Sequence, residues 1–302
     1  MKRLVVQTLW LILLVLVSFA GILALAGGST DAFYWKFATP RQSNMIVGTS
    51  RAAQGVQPAV LDSLLGRSFF NYAFTAEQSP YGPVYVKSIQ KKVDSAEKNG
   101  LFILTVDPWS IASTSADPND SLHFREAYLH LNDIENVTAY PNWKYLFKYL
   151  KGNYYSILLN PLISSLYLHR DGWLEVSVPM DTSHVRQRTQ SKMESYRRIQ
   201  HDYRFSEVRL ASLKKLVHWL NQHGRVYLVR LPVPSAMLTL EQELMPNFDE
   251  KMQEIAPLTA GYLDMTVPLD EGYLYTDGNH LFKSSARQVS SRIGRWVATQ
   301  EP

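Results

Sequence analysis

Three residues stand out by type and position. Ser50 lies in Gly48-Thr49-Ser50, where a short apolar run (44–48) gives way to a helical pattern. Asp277 and His280 lie three apart in LYTDGNHLF (274–282), just before the last amphipathic stretch. A serine hydroxyl becomes a nucleophile when a base takes its proton. An imidazole titrates near neutrality and can take it. A carboxylate on the other ring nitrogen fixes the tautomer and stabilises the imidazolium. Ser50, His280 and Asp277 supply a nucleophile, a base and an orienting carboxylate. Each fragment alone also fits a plainer role. Ser50 suits a helix N-cap, and Asp-Gly-Asn-His suits a surface turn.

For the trio to meet, the chain must bring its beginning and its end together. Apolar runs at 44–48, 68–74, 101–106, 225–231 and 261–265 read as strands. Helical periodicity covers 52–65, 82–98, 203–223, 240–255 (with a break at Pro246) and 283–297. Alternation of strands and helices implies parallel pairing under helices on both faces. The expected fold is a three-layer α/β/α sandwich with about five parallel strands. Ligands in such sheets bind beyond the carboxyl ends of the strands. Ser50, Asn71, Asp107 and Pro232 all fall at such ends. From about 107 to 200 the alternation lapses into an irregular insertion, with short helices expected at 143–150 and 154–167. An insertion of this size suits a lid or a binding surface.

The pairing of Gly-x-Ser after the first strand with Asp-x-x-His before the last helix resembles the SGNH, or GDSL-like, hydrolase superfamily. The resemblance covers residues 44–110 and 203–298. It implies a flavodoxin-like sandwich in which Ser50 is the nucleophile, His280 the base and Asp277 its partner. Threonine stands at position 49, where the family has aspartate. The family's oxyanion donors include a glycine after strand two and an asparagine after strand three. This chain has Asn71-Tyr72-Ala73 and Asp107-Pro108-Trp109 there. An ionised aspartate cannot donate, so the expected donors are the Ser50 N–H and the Asn71 side chain. Asp107 is expected to bind a substrate hydroxyl. Arg51 is expected either to hold an anionic group of the substrate or to pair with a nearby carboxylate.

Residues 4–26 carry no charge and follow Lys2 and Arg3. About 20 apolar residues span a bilayer as a helix, and preceding basic residues favour a cytoplasmic N-terminus. The expectation is a single-pass anchor over 1–26 with the domain outside the cytoplasm. Ala24-Leu25-Ala26 before Gly27 also fits signal cleavage. Residues 27–42 read as a linker with Phe33, Tyr34 and Trp35 at the membrane interface, and 43–300 as the α/β domain. The 302 residues include no cysteine, which excludes thiolate chemistry, and a net charge of +4 is too small to argue for nucleic acid. The histidines lack metal-ligand spacing, so no metal and no cofactor are expected. The resemblance implies a serine esterase or acyltransferase acting on an acylated envelope polysaccharide or lipid, with a membrane acyltransferase as a conceivable partner. The alternative is a non-catalytic module of the same fold that binds envelope glycan or a membrane partner.

Overall fold

The computed structural model describes residues 1–267 and 272–301. Five parallel strands form its central sheet: β1 (Asn44–Val47), β2 (Phe69–Asn71), β3 (Gly100–Thr105), β4 (Gly224–Arg230) and β5 (Gly261–Asp264). Their order is β2-β1-β3-β4-β5. This is the flavodoxin-like order, and the direction of winding reverses between β1 and β3.

Strand residues alternate between two separate cores. Met45, Val47, Phe102, Leu104, Val226 and Leu228 face one side, with Ile89 of helix Pro83–Lys92 and Leu213 of helix Glu207–Leu220. Ile46, Ile103, Tyr227 and Val229 face the other, with Ala52, Leu61 and Val289 from helices Ser50–Gly55, Pro58–Leu65 and Lys283–Gln300. Both faces are covered by apolar side chains, so the strands read as continuous apolar runs.

The chain departs from the sequence reading in several places, and the helix expected over 82–98 already ends at Lys92, with Val93 extended. The helix expected over 52–65 is two helices, because Val56 and Gln57 are extended and Pro58 opens the second. The helix expected over 154–167 ends at Ile163. The chain then forms a hairpin, Leu166–Leu168 with Leu174–Val176. Residues 182–199 form an 18-residue helix inside the supposedly irregular insertion.

Finally, residues 27–42 are not a linker. Helix Tyr34–Ala38 is buried in the domain, and Phe33 and Trp35 pack against the core. Two buried lysines clamp this segment. Lys36 donates to the carbonyls of Asn71 (2.9 Å) and Gly172 (2.7 Å). Lys92 donates to the carbonyls of Thr39 (2.6 Å) and Val137 (2.8 Å). Burial lowers the Lys36 ammonium to about 7, against an opposing pull from Asp171. The helix Lys2–Ala24 is long and apolar enough to cross a membrane. Its last turn joins the domain, with Leu23 and Ala26 buried.

Candidate active site

The turn at residues 277–280 is built by one carboxylate. Asp277 Oδ1 accepts from the backbone N–H of Asn279 (3.1 Å) and of His280 (2.9 Å), the bonding of an Asx-type turn. Gly278 takes φ +76°, where a side chain would also strike Thr189. The same carboxylate meets the imidazole. His280 Nδ1 lies 2.8 Å from Asp277 Oδ2 and 3.0 Å from Oδ1. A proton on Nδ1 leaves Nε2 as an acceptor, and Nε2 lies 2.8 Å from Ser50 Oγ. Burial alone would raise Asp277. The hydrogen bond from His280 foremost, and Lys192 at 3.2 Å, outweigh it and hold the carboxyl well below its ordinary range.

Ser50 owes its place to Gly48. That residue has φ +152°, and a Cβ on it would come within 1.8 Å of Thr105 Oγ1. Its carbonyl accepts from Ser79 Oγ (2.7 Å), and its N–H donates to Tyr85 OH (3.1 Å). The bend presses β1 against β3 and releases Ser50 as the first residue of the next helix. No hydrogen bond within the described residues engages the Ser50 N–H.

Arg51 turns inward and joins a buried charge cluster. Its Nε donates to Asn279 Oδ1 at 2.7 Å, and its Nη1 pairs with Glu241 Oε1 and, at 3.7 Å, with Asp107 Oδ2. Glu241 also meets Arg230 at 3.3 Å. Burial opposes the charge on Arg51, but Glu241 foremost and then Asp107 overcome it and raise its pKa further. Burial pushes the Asp107 carboxyl up, against the pull of Arg51. Asn279 connects this cluster to the triad turn, and its Nδ2 also donates to Tyr196 OH at 3.0 Å.

These contacts decide the remaining expectations. Ser50, His280 and Asp277 meet in one chain of hydrogen bonds. Of the two roles open to Arg51, it takes the ion pair: Nε meets Asn279 and Nη1 meets Glu241 and Asp107, while Nη2 is buried without a hydrogen-bond partner among the described residues. Asp107 is not placed for a substrate hydroxyl. It accepts from Ser110 N (2.8 Å) and Thr49 Oγ1 (3.4 Å) and is almost fully buried. Asn71 is not placed as an oxyanion donor. Its Nδ2 donates to the carbonyls of Ala52 and Val56, both at 2.8 Å, and this uses both amide hydrogens.

The reading from sequence missed Glu241, Tyr196, Lys192 and Asn279. Lys192 and Tyr196 sit on helix Thr182–Ile199, which lacks an apolar stripe beyond residues such as Val185 and Met193. Its one clear signal is the N-cap Asp181, whose side chain accepts from His184 N. Beyond Gly278 runs an apolar groove of about 750 Å3, walled by Met180, Val185, Met193, Pro234 and Tyr273. Compared with protein-family models and with curated protein sequences, the chain matches none.

Proposed function

We propose that the protein is a membrane-anchored serine esterase or O-acyltransferase of the SGNH type. The observation that carries this reading is the continuous line from Ser50 Oγ through His280 to Asp277, with 2.8 Å at each link. In the proposed reaction His280 Nε2 takes the Ser50 proton as Oγ attacks an ester carbonyl. The imidazolium, stabilised by Asp277, then protonates the departing alcohol. In the second half His280 deprotonates water or a sugar hydroxyl, which attacks the acyl-serine and releases Ser50. The unengaged Ser50 N–H is the donor nearest in sequence for the oxyanion.

The substrate class follows from position. The uncharged segment 4–26 behind Lys2 and Arg3 favours a single-pass anchor with the domain outside the cytoplasm. An anchored esterase there meets acylated envelope glycans and lipids. A membrane acyltransferase is a fitting donor if the reaction is transfer. The apolar groove beside Gly278 suits a substrate with an aliphatic part.

The test uses the full chain in detergent with short-chain aryl esters. Turnover by the native chain and its loss in Ser50→Ala and His280→Ala are the expected results. Equal rates in all three overturn the reading. One observation favours a second reading, a binding module of the same fold. Asn71 and Asp107 are both tied up inside the protein, which leaves a poor oxyanion site. That module predicts no turnover, with glycan or partner binding unchanged by Ser50→Ala.

A further inference from the structure

The aromatic residues expected at the membrane interface, Phe33 to Trp35, are packed into the domain. A different surface carries the apolar exposure. Helices Trp143–Leu150 and Ser156–Ile163 leave Trp143, Phe147, Tyr155, Leu158, Leu162 and Ile163 open to solvent. Leu162 is 80% and Ile163 78% exposed. A contiguous apolar patch on an otherwise ordinary surface marks an interaction site.

Its position names the occupant. The last turns of the N-terminal helix rest on this patch. The Phe19 ring stands edge-on to Tyr154 at 4.9 Å and 6.3 Å from Phe147. Helix Ser156–Ile163 touches helix Lys2–Ala24 directly. The exposed leucines therefore begin where the apolar N-terminal helix stops. Residues 143–170 include no acidic residue, while Lys144 and Lys151 are exposed beside the patch. Trp and Tyr at the margin, aliphatic side chains beyond them and lysines beside them match the chemistry of a bilayer interface.

We infer that residues 143–163 form a shelf that lies in the headgroup region of the bilayer that the N-terminal helix crosses. The inference rests on the anchor reading above. The shelf seats the domain on the lipid surface instead of leaving it on a tether. It has a physical link to the triad. The hairpin that follows it receives the chain leaving the anchor, with Leu168 N donating to Gly28 O at 2.9 Å. The same hairpin meets the helix after His280, through Glu175 and Lys283 at 2.9 Å. A domain seated this way holds its triad at a fixed attitude to the membrane, as a lipid or lipid-linked substrate requires.

The native chain has no cysteine, so a single introduced one takes a nitroxide label uniquely. The full chain is reconstituted in vesicles of phosphatidylethanolamine and phosphatidylglycerol. Labels are placed at Leu13→Cys in the anchor, Leu162→Cys in the shelf and Lys215→Cys on the helix Glu207–Leu220. Collision with oxygen, relative to a water-soluble nickel chelate, reports lipid contact. The ratio at Leu162 is expected to exceed that at Lys215 by about fivefold or more, with Leu13 also high. A high ratio at Leu13 with a water-like ratio at Leu162 overturns the shelf and leaves the anchor standing. Shielding of Leu162 from both reagents means that protein covers the patch, and this also overturns the inference. A water-like ratio at Leu13 removes the anchor and the shelf together.

Discussion

The two sides of the Ser50 hydroxyl are built differently. On one side, His280 and Asp277 are held by a turn, a lysine and a buried charge cluster. On the other, the residues at the ends of β2 and β3 are engaged inside the protein. Asn71 closes the C-terminal end of the helix Ser50–Gly55, and Asp107 caps its own loop. One side reads as a base apparatus fixed with care. On the proposed reading, the other leaves oxyanion stabilisation to the backbone. The contrast teaches that a motif can bring its residues together while the positions beside it serve packing.

The largest expected effect breaks the base side. Ser50→Ala and His280→Ala should each lower kcat on an aryl ester by about 10^3-fold or more, and Asp277→Asn by about 10^3 to 10^4. Circular dichroism should show the fold retained. A loss below tenfold in Asp277→Asn would mean that the carboxylate only shapes the turn.

Next in size is the cluster that steadies this side. Glu241→Gln leaves Arg51 and Arg230 facing each other without their shared anion. Removing one partner of a buried pair costs about 3–5 kcal/mol, which denaturant unfolding would read directly. Arg51→Lys should fail to restore stability, because an ammonium cannot reproduce the fork that reaches Asn279, Glu241 and Asp107 together.

Asn71 sharpens the comparison. If its amide only satisfies the carbonyls of Ala52 and Val56, Asn71→Leu lowers stability by about 1–3 kcal/mol for the groups left unpaired. On the proposed reading, turnover of the aryl ester by the folded variant then stays within tenfold of the native chain. An oxyanion donor would instead cost about 2.7–4 kcal/mol in the barrier. A variant of full stability with kcat down a hundredfold or more would return Asn71 to the oxyanion site.

The last prediction concerns pH and is of similar size. Lys36, which holds the Asn71 carbonyl, titrates near 7 in the folded chain and near 10.5 when unfolded. Between those values the unfolded state binds the extra proton, so stability rises with pH, by at most about 1.4 kcal/mol per pH unit. Below about 7 both states are protonated and the contribution is flat. Above about 10 the buried tyrosines, whose folded pKa values lie above the usual range, pull stability down again. Lys36→Met should flatten the rise between pH 7 and 9. An unchanged slope would assign it to other groups.

Much of this was legible in the sequence because the sheet is covered on both faces. Continuous apolar runs such as LFILTV at 101–106 have one comfortable home, a central parallel strand. Gly48 before Ser50 and the Asp-x-x-His spacing marked Ser50, Asp277 and His280 as candidates, although each fragment alone also fits a cap or a turn. The rest depended on partners far away in the chain. Arg51 and Glu241 are 190 residues apart, and nothing near Arg51 signals which of its two readings holds. Helix Thr182–Ile199 stayed hidden because only a few apolar side chains touch the domain. Residues 27–42 read as a linker because Phe33, Tyr34 and Trp35 suit a membrane interface as well as a core. In the folded chain Lys36 finds two carbonyls, and Asp31 caps Phe33 and Tyr34.

The central claim is that His280 activates Ser50. A fluorophosphonate phosphorylates an activated serine and spares an ordinary one, so the direct measurement is its labelling of the full chain, read by peptide mass. The account predicts stoichiometric modification at Ser50, lost in His280→Ala and sharply slowed in Asp277→Asn. A native chain that stays unlabelled at Ser50, or that labels equally without His280, contradicts it.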